Sequence, residues 1–203
     1  MPFAVFAVIL GAIGWANVFA APPLPLEELN TCGRACWHDI VLRQTDFRQA
    51  DAMMLDEGYE IWRGISGAFT RMYELDGVER NCVVGLVSSR GQAVTSIRLS
   101  QCEGVRLGDL IAAVGQPEGV MPSTQAVTFQ NGEVVASIRE DTCFYWISPF
   151  SSVQTIYLES LGGDEDILQG GVPYPPELAL PWRGFRSRAY YLQFEPTMRP
   201  CRF

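Results

Sequence analysis

Read for hydrophobic periodicity, the chain separates into helical and strand-like stretches that follow one another twice. Thr45-Asp-Phe-Arg-Gln-Ala-Asp-Ala-Met-Met-Leu-Asp-Glu-Gly58 puts Phe47, Ala50, Met54 and Leu55 on one helical face, with Thr45 as N-cap, Asp46 in the first turn and Gly58 as the stop. Tyr59 to Ile65 then reads as a strand. Cys82 to Val87, a turn at Ser88–Gly91 and Ala93 to Leu99 read as a hairpin. From Cys102 the same order of elements recurs. Val105 to Gly115 predicts a short helix with Asp109 near its start, an apolar side of Leu107, Leu110, Ile111 and Val114, and Gly115 with Pro117 as its end. Gln125 to Gln130, Asn131-Gly132 and Glu133 to Arg139 give a hairpin signal, because Asn-Gly suits the type I′ turn, and Ser152 to Ser160 adds a strand. The expected fold class is α+β, with two helix-plus-antiparallel-sheet units at residues 31–100 and 101–161. Their common order of elements suggests a tandem repeat, although residue identity between them is poor.

The flanks differ from this body. Met1 to Ala21 carries no charged side chain, and Phe3 to Ala16 is almost wholly apolar, so an N-terminal apolar helix is expected over residues 1–21. It is either a signal peptide, with Val18-Phe19-Ala20 before a cut at Ala21, or an anchor of roughly twenty residues, enough at ~1.5 Å each to cross a ~30 Å hydrocarbon core. Both place the rest of the chain outside the cytoplasm, secreted or held by one membrane segment that touches lipid through residues 1–21 if it is uncleaved. A proline-rich spacer follows at residues 22–30, since Ala21-Pro-Pro-Leu-Pro25 cannot continue a helix. Glycine pairs at 162–163 and 170–171 and prolines at 173, 175, 176 and 181 mark an irregular connection within residues 162–203, which ends in an expected strand at Ala189 to Phe194.

Charge separates that tail from the body. Residues 182–203 hold five arginines against one acid, net +4, whereas residues 22–181 hold ten against twenty-two, net −12. The tail is therefore expected to lie against the acidic body, with attraction to an anionic surface as the other reading. All fifteen basic residues are arginine and His38 is the one histidine, so lysine chemistry and a two-histidine zinc site are excluded. The acidic balance argues against a nucleic-acid partner. No metal site and no cofactor is expected.

The six cysteines, Cys32, Cys36, Cys82, Cys102, Cys143 and Cys201, all follow the apolar segment, and an even number in an exported chain reads as up to three disulfides. Within the first unit, Cys32 or Cys36 is expected to reach Cys82. Cys32-Gly-Arg-Ala-Cys36-Trp37-His38 misses both the haem-attachment and the thioredoxin spacing. A thiol activated by Arg34 and His38 is chemically open to it, which makes a thiol–disulfide enzyme using Cys32 and Cys36 the alternative function. No Gly-x-Ser-x-Gly elbow presents a serine to His38, so no catalytic residue is assigned.

Ile40 to Gly58 and Leu107-Gly108-Asp109-Leu110 … Val114-Gly115-Gln116-Pro117 resemble the helix segments of small exported modules of the outer-membrane assembly lipoprotein type and the β-lactamase-inhibitor-protein type. The chain as a whole also resembles uncharacterised exported proteins with such a Cys-Trp start. The resemblance covers about 35 residues and implies a helix packed on an antiparallel sheet, in a module that binds rather than catalyses. The expected function is therefore a non-catalytic, extracytoplasmic interaction module whose partner is another envelope protein. Its candidate anchors are Trp182, Arg183, Phe185, Arg186 and Arg188, an aromatic and arginine run just after the proline-rich connection.

Overall fold

A computed structural model describes Leu26, Leu29, Cys32 and residues 36–61, 70–75, 82–88, 92–102, 104–122, 124–138, 147–159, 179–186 and 190–191. The fold is α+β. In chain order its elements are β1 (Cys36–Trp37), β2 (Ile40–Val41), α1 (Phe47–Asp56), β3 (Tyr59–Ile61), β4 (Thr70–Leu75), β5 (Val83–Ser88) and β6 (Val94–Ser100). After these come α2 (Leu107–Val114), β7 (Gly119–Met121), β8 (Ala126–Phe129), β9 (Val134–Ile138), β10 (Val153–Glu159) and β11 (Leu180–Pro181). β1 and β2 form a small ladder of their own. The other nine strands make one antiparallel sheet in the order β11-β7-β8-β9-β10-β6-β5-β4-β3, joined at its middle by β6 and β10.

Strand register divides the residues of this sheet between two faces, because successive side chains alternate. The partners Tyr73, Val84, Leu99, Ile156, Ala136, Val127 and Val120 run across the sheet as one continuous apolar row. Both helices lie on that face: Phe47, Ala50 and Met54 of α1 and Leu107, Leu110 and Val114 of α2 join these strand residues, with Trp37 and Ile40, in a single core. The opposite face carries the row Met72, Gly85, Arg98, Tyr157, Val135, Thr128 and Gly119. Among the described residues, a small cluster of Met121, Ala126, Val135 and Tyr157 packs there, with Ala179 against it.

The helix starts show why the chain folds where it does. Asp46, rather than Thr45, caps α1: its Oδ1 accepts from the amides of Arg48 at 2.9 Å and Gln49 at 3.4 Å. Thr45 is drawn away because its Oγ1 accepts from the Val41 amide at 2.9 Å and its carbonyl from Val94. Leu55 also departs from the expected apolar face and is 45% exposed, since it sits about 100° around the helix from Met54. Gly58 ends the helix with φ of 88°, as expected. Asp46→Ala is expected to lower stability by about 1 kcal/mol in urea unfolding, the ordinary cost of a lost N-cap. In α2, the Asp109 carboxylate accepts from the Arg106 amide at 2.9 Å, and Gly115 closes the helix at φ of 99°.

The Asn131-Gly132 turn has positive φ at both residues, 57° and 87°, and the Glu133 amide donates to the Gln130 carbonyl at 3.1 Å. Three expectations are corrected. Tyr190 and Tyr191 are helical rather than extended, and the other residues of the expected strand Ala189 to Phe194 lie outside the described residues. Neither Cys32 nor Cys36 reaches Cys82: Cys32 joins Cys36, and Cys82 joins Cys102 across a Cα separation of 4.3 Å. The reason is register, because Val83 opposite Ser100 brings the two ends of the β5–β6 hairpin side by side. The proline-rich tail also contributes a sheet strand, Leu180–Pro181, where only irregular chain was expected. Cys143, Cys201 and the apolar segment 1–21 lie outside the described residues. Among those described, no helix is long and apolar enough to cross a membrane. The two disulfides fit an oxidising, extracytoplasmic compartment.

Candidate functional site

The expected anchor run emerges at the end of β11. Trp182 donates its amide to the Glu118 carbonyl at 2.8 Å, which fixes the chain beside β7. Its indole stacks over Tyr191 at 6.3 Å and 22°, meets the Phe185 ring edge-on at 5.5 Å, and packs against the main core. Trp182 is thus half-buried scaffold rather than a free anchor. Tyr191 is wholly buried; its hydroxyl donates to the Gly184 carbonyl at 2.7 Å and accepts from the Arg183 amide at 3.1 Å. Burial pushes that hydroxyl above the usual tyrosine range. The loop from Arg183 to Arg186 is therefore tied down by a buried phenol, while Arg183, Phe185 and Arg186 remain on the surface. Arg186 lies over the Tyr190 ring at 5.9 Å. Arg188 lies outside the described residues.

A second aromatic joins this run, and the sequence reading did not find it. The Ile147 amide donates to the Arg186 carbonyl at 2.9 Å, which ties the 147–151 turn to the anchor loop. That turn projects Phe150, 74% exposed and the most exposed large apolar side chain among the described residues. Exposure here is not looseness. Ser148 Oγ accepts from the Phe150 amide at 3.2 Å, Ser151 Oγ accepts from the Ser148 amide at 2.9 Å, and the Pro149 carbonyl accepts from the Gly108 amide at 2.8 Å. Glycine at 108 leaves room for this close approach, since a Cβ there would stand 3.0 Å from the Pro149 carbonyl oxygen and crowd the turn. Arg106, at the start of α2, places its guanidinium 5.8 Å over the Phe150 ring. Two exposed phenylalanines, Phe150 beneath the Arg106 guanidinium and Phe185 next to Arg186 in the chain, are thus held on hydrogen-bonded loops that share one backbone contact. The available signal was the spacing Ser148-Pro149-Phe150-Ser151, a turn with a large apolar residue where a polar one is usual.

The Cys32–Cys36 region has a different character. Cys36 is fully buried and joined to Cys32, which is exposed. His38 Nδ1 pairs with Glu57 Oε2 at 2.6 Å, at the C-terminal end of α1, and its ring packs edge-on against Trp37 at 4.1 Å. Arg34, the other expected activator, lies outside the described residues. Among the described residues no group of three or more His, Cys, Asp or Glu side chains could hold a metal ion.

No family model matches the chain, and no curated protein does. Among solved structures, a DUF4309 family protein (YjgB) from Bacillus subtilis subsp. subtilis str. 168 is similar over 68% of this chain and 97% of that one, at 12% identity and a TM-score of 0.41.

Proposed function

We propose that this protein is a non-catalytic, extracytoplasmic interaction module that presents its aromatic and arginine surface to another protein of the cell envelope, secreted or held there by residues 1–21. The observation that carries the reading is Phe150: a large apolar side chain, three-quarters exposed, on a turn fixed by side-chain and backbone hydrogen bonds and flanked by Arg106. A rigid exposed aromatic loses little conformational entropy on docking, and aromatic and arginine residues supply most interface hot spots. Phe185 and Arg186 extend the same surface through the Ile147–Arg186 bond.

The architecture supports a two-unit reading as well. Helix α1 is followed by the antiparallel strands β3 to β6, and α2 by β7 to β10, with the last strands of each set paired. The same succession about a shared seam is what two copies of one module would produce.

Replacing Phe150 and Arg186 together by Ala tests the function. The wild-type chain, cross-linked in intact envelopes, is expected to retain a defined partner. The double variant is expected to lose at least about tenfold of it, the scale of a two-residue hot spot, with its melting temperature unchanged. Partner retention unchanged beside a lowered melting temperature would show these side chains to be structural and sink the reading.

A further inference from the structure

Arg106 and Arg186 are exposed, and the ion pairs among the described residues, His38–Glu57 and Asp51–Arg71, leave both of them out. Each guanidinium lies over an aromatic ring instead, Arg106 at 5.8 Å from Phe150 and Arg186 at 5.9 Å from Tyr190. In a chain with 23 acids against 15 arginines, this is not for want of carboxylates. The acids beside these loops are turned to the backbone: Asp109 accepts from the Arg106 amide at 2.9 Å, and Glu118, whose carbonyl holds Trp182, accepts through its side chain from the Asn131 amide. Two cations without a carboxylate thus flank two exposed phenylalanines, Phe150 at 74% and Phe185 at 38% exposure.

The hydrogen bond from the Ile147 amide to the Arg186 carbonyl limits how far apart these side chains stand. At ~3.8 Å between consecutive Cα atoms, Phe150 and Phe185 lie within roughly 20 Å of each other. An extended segment of about six residues, at ~3.3 Å each, covers that span. Resting on the reading of this surface as a protein-binding one, we infer that it receives a short acidic segment of the partner, which lays apolar side chains on Phe150 and Phe185 and sets carboxylates against Arg106 and Arg186. A guanidinium held over a ring keeps its planar edge for a carboxylate, which accepts two parallel bonds from it. An anionic bilayer fits the same surface less well. The chain has a net charge of −8 and a bilayer extends under all of it, whereas a short segment meets only the charges within the ~8 Å screening length of physiological salt. Immersing Phe150 would also draw the Arg106 guanidinium toward hydrocarbon, where a charge is costly.

Isothermal titration of the folded full chain tests this with synthetic peptides. The probe is acetyl-Asp-Glu-Leu-Phe-Asp-Glu-amide, set against its neutral counterpart acetyl-Asn-Gln-Leu-Phe-Asn-Gln-amide and against acetyl-Asp-Glu-Ser-Ser-Asp-Glu-amide, which keeps the charge and lacks the apolar pair. The probe is expected to bind about tenfold more tightly than the neutral peptide, the factor that two exposed ion pairs supply together. The serine peptide is expected to lose at least as much, because nothing then covers the phenylalanines. Arg106→Gln and Arg186→Gln are each expected to weaken the probe about threefold with the melting temperature unchanged. If Arg106→Gln, at the start of α2, fails to fold, Arg186→Gln carries the test. Equal affinity for the acidic and neutral peptides, no binding at millimolar probe, or full binding by the folded variants would each overturn the proposal. So would co-sedimentation with vesicles of one part phosphatidylglycerol to three of phosphatidylcholine that the two substitutions together abolish, since the patch would then serve lipid. Cross-linking in intact envelopes keeps this inference apart from the reading it rests on. A partner retained by the double glutamine variant but lost by Phe150→Ala would remove the acidic segment and leave the interaction module standing.

Discussion

Removing the Cys82–Cys102 bridge by a double Cys→Ala replacement is expected to lower stability by about 3 kcal/mol, and the same replacement at Cys32 and Cys36 by about 2 kcal/mol. The ordering follows from chain entropy. A bridge restricts the unfolded chain in proportion to the logarithm of the loop it closes, and the two bridges close loops of 20 and 4 residues. Packing adds to the larger figure, since Cys82 and Cys102 are both buried in the main core at the base of the β5–β6 hairpin. That hairpin forms half of the sheet's central seam, so loosening its base acts on β10 as well. Urea unfolding of the two double variants, each against wild type, reads the difference directly. A larger loss from the Cys32–Cys36 pair would show that packing around Trp37, not loop closure, governs the effect.

Much of this fold is legible because its helices and central strands obey their periods without competition. The apolar runs of β5, β6, β9 and β10 and the glycines at 58, 115 and 132 mark elements and stops that the structure reproduces. β4 was missed for a physical reason. In Thr70-Arg-Met-Tyr-Glu-Leu75 the residue in register with Leu86 on the helix-covered face is Arg71, a charge where the pattern calls for an apolar side chain. It is tolerated because Asp51, one turn into α1, pairs with it. A sequence read by hydrophobic alternation cannot see a partner twenty residues away on another element. β7 and β11 are too short to show a period, and β11 contains a proline that its edge position permits.

The candidate surfaces were harder to read, and unequally so. Trp182 and Phe185 stood out by composition, yet only the stacking on Tyr191 shows that Trp182 belongs to the scaffold and Phe185 to the surface. Phe150 was hidden in an ordinary Ser/Pro turn, because its exposure depends on the Gly108–Pro149 bond between segments forty residues apart. The cysteine pairing failed for the same reason, since pairing is dictated by which strand ends meet.

The network that hid β4 makes the second large effect. Asp51 accepts from the Tyr73 hydroxyl at 2.6 Å and from Arg71 through its other oxygen, which ties α1 to β4. Tyr73 is wholly buried, Asp51 largely so, and Arg71 partly exposed. Asp51→Ala is expected to cost about 2 kcal/mol, because it strands the Tyr73 hydroxyl in the core as well as freeing Arg71, whose partial exposure keeps its share small. Tyr73→Phe removes the hydroxyl along with its need for a partner and should cost only about 1 kcal/mol. The pH dependence separates the two further. Burial first, then the hydrogen bond and negative charge of Asp51, hold the Tyr73 pKa well above that of a free tyrosine. An unfolded tyrosine titrates near pH ~10, so below that pH the contribution of Tyr73 is complete. As pH rises past it, the unfolded chain loses this proton while the folded chain keeps it, and stability falls by up to about 1.4 kcal/mol per pH unit until the folded group also ionises. Urea unfolding between pH ~9 and ~12 should therefore show a steep alkaline loss in wild type that Tyr73→Phe makes shallower, with Tyr191 supplying part of what remains. Equal slopes in the two proteins would mean that the Tyr73 proton is not retained, and that Asp51 holds β4 through Arg71 alone.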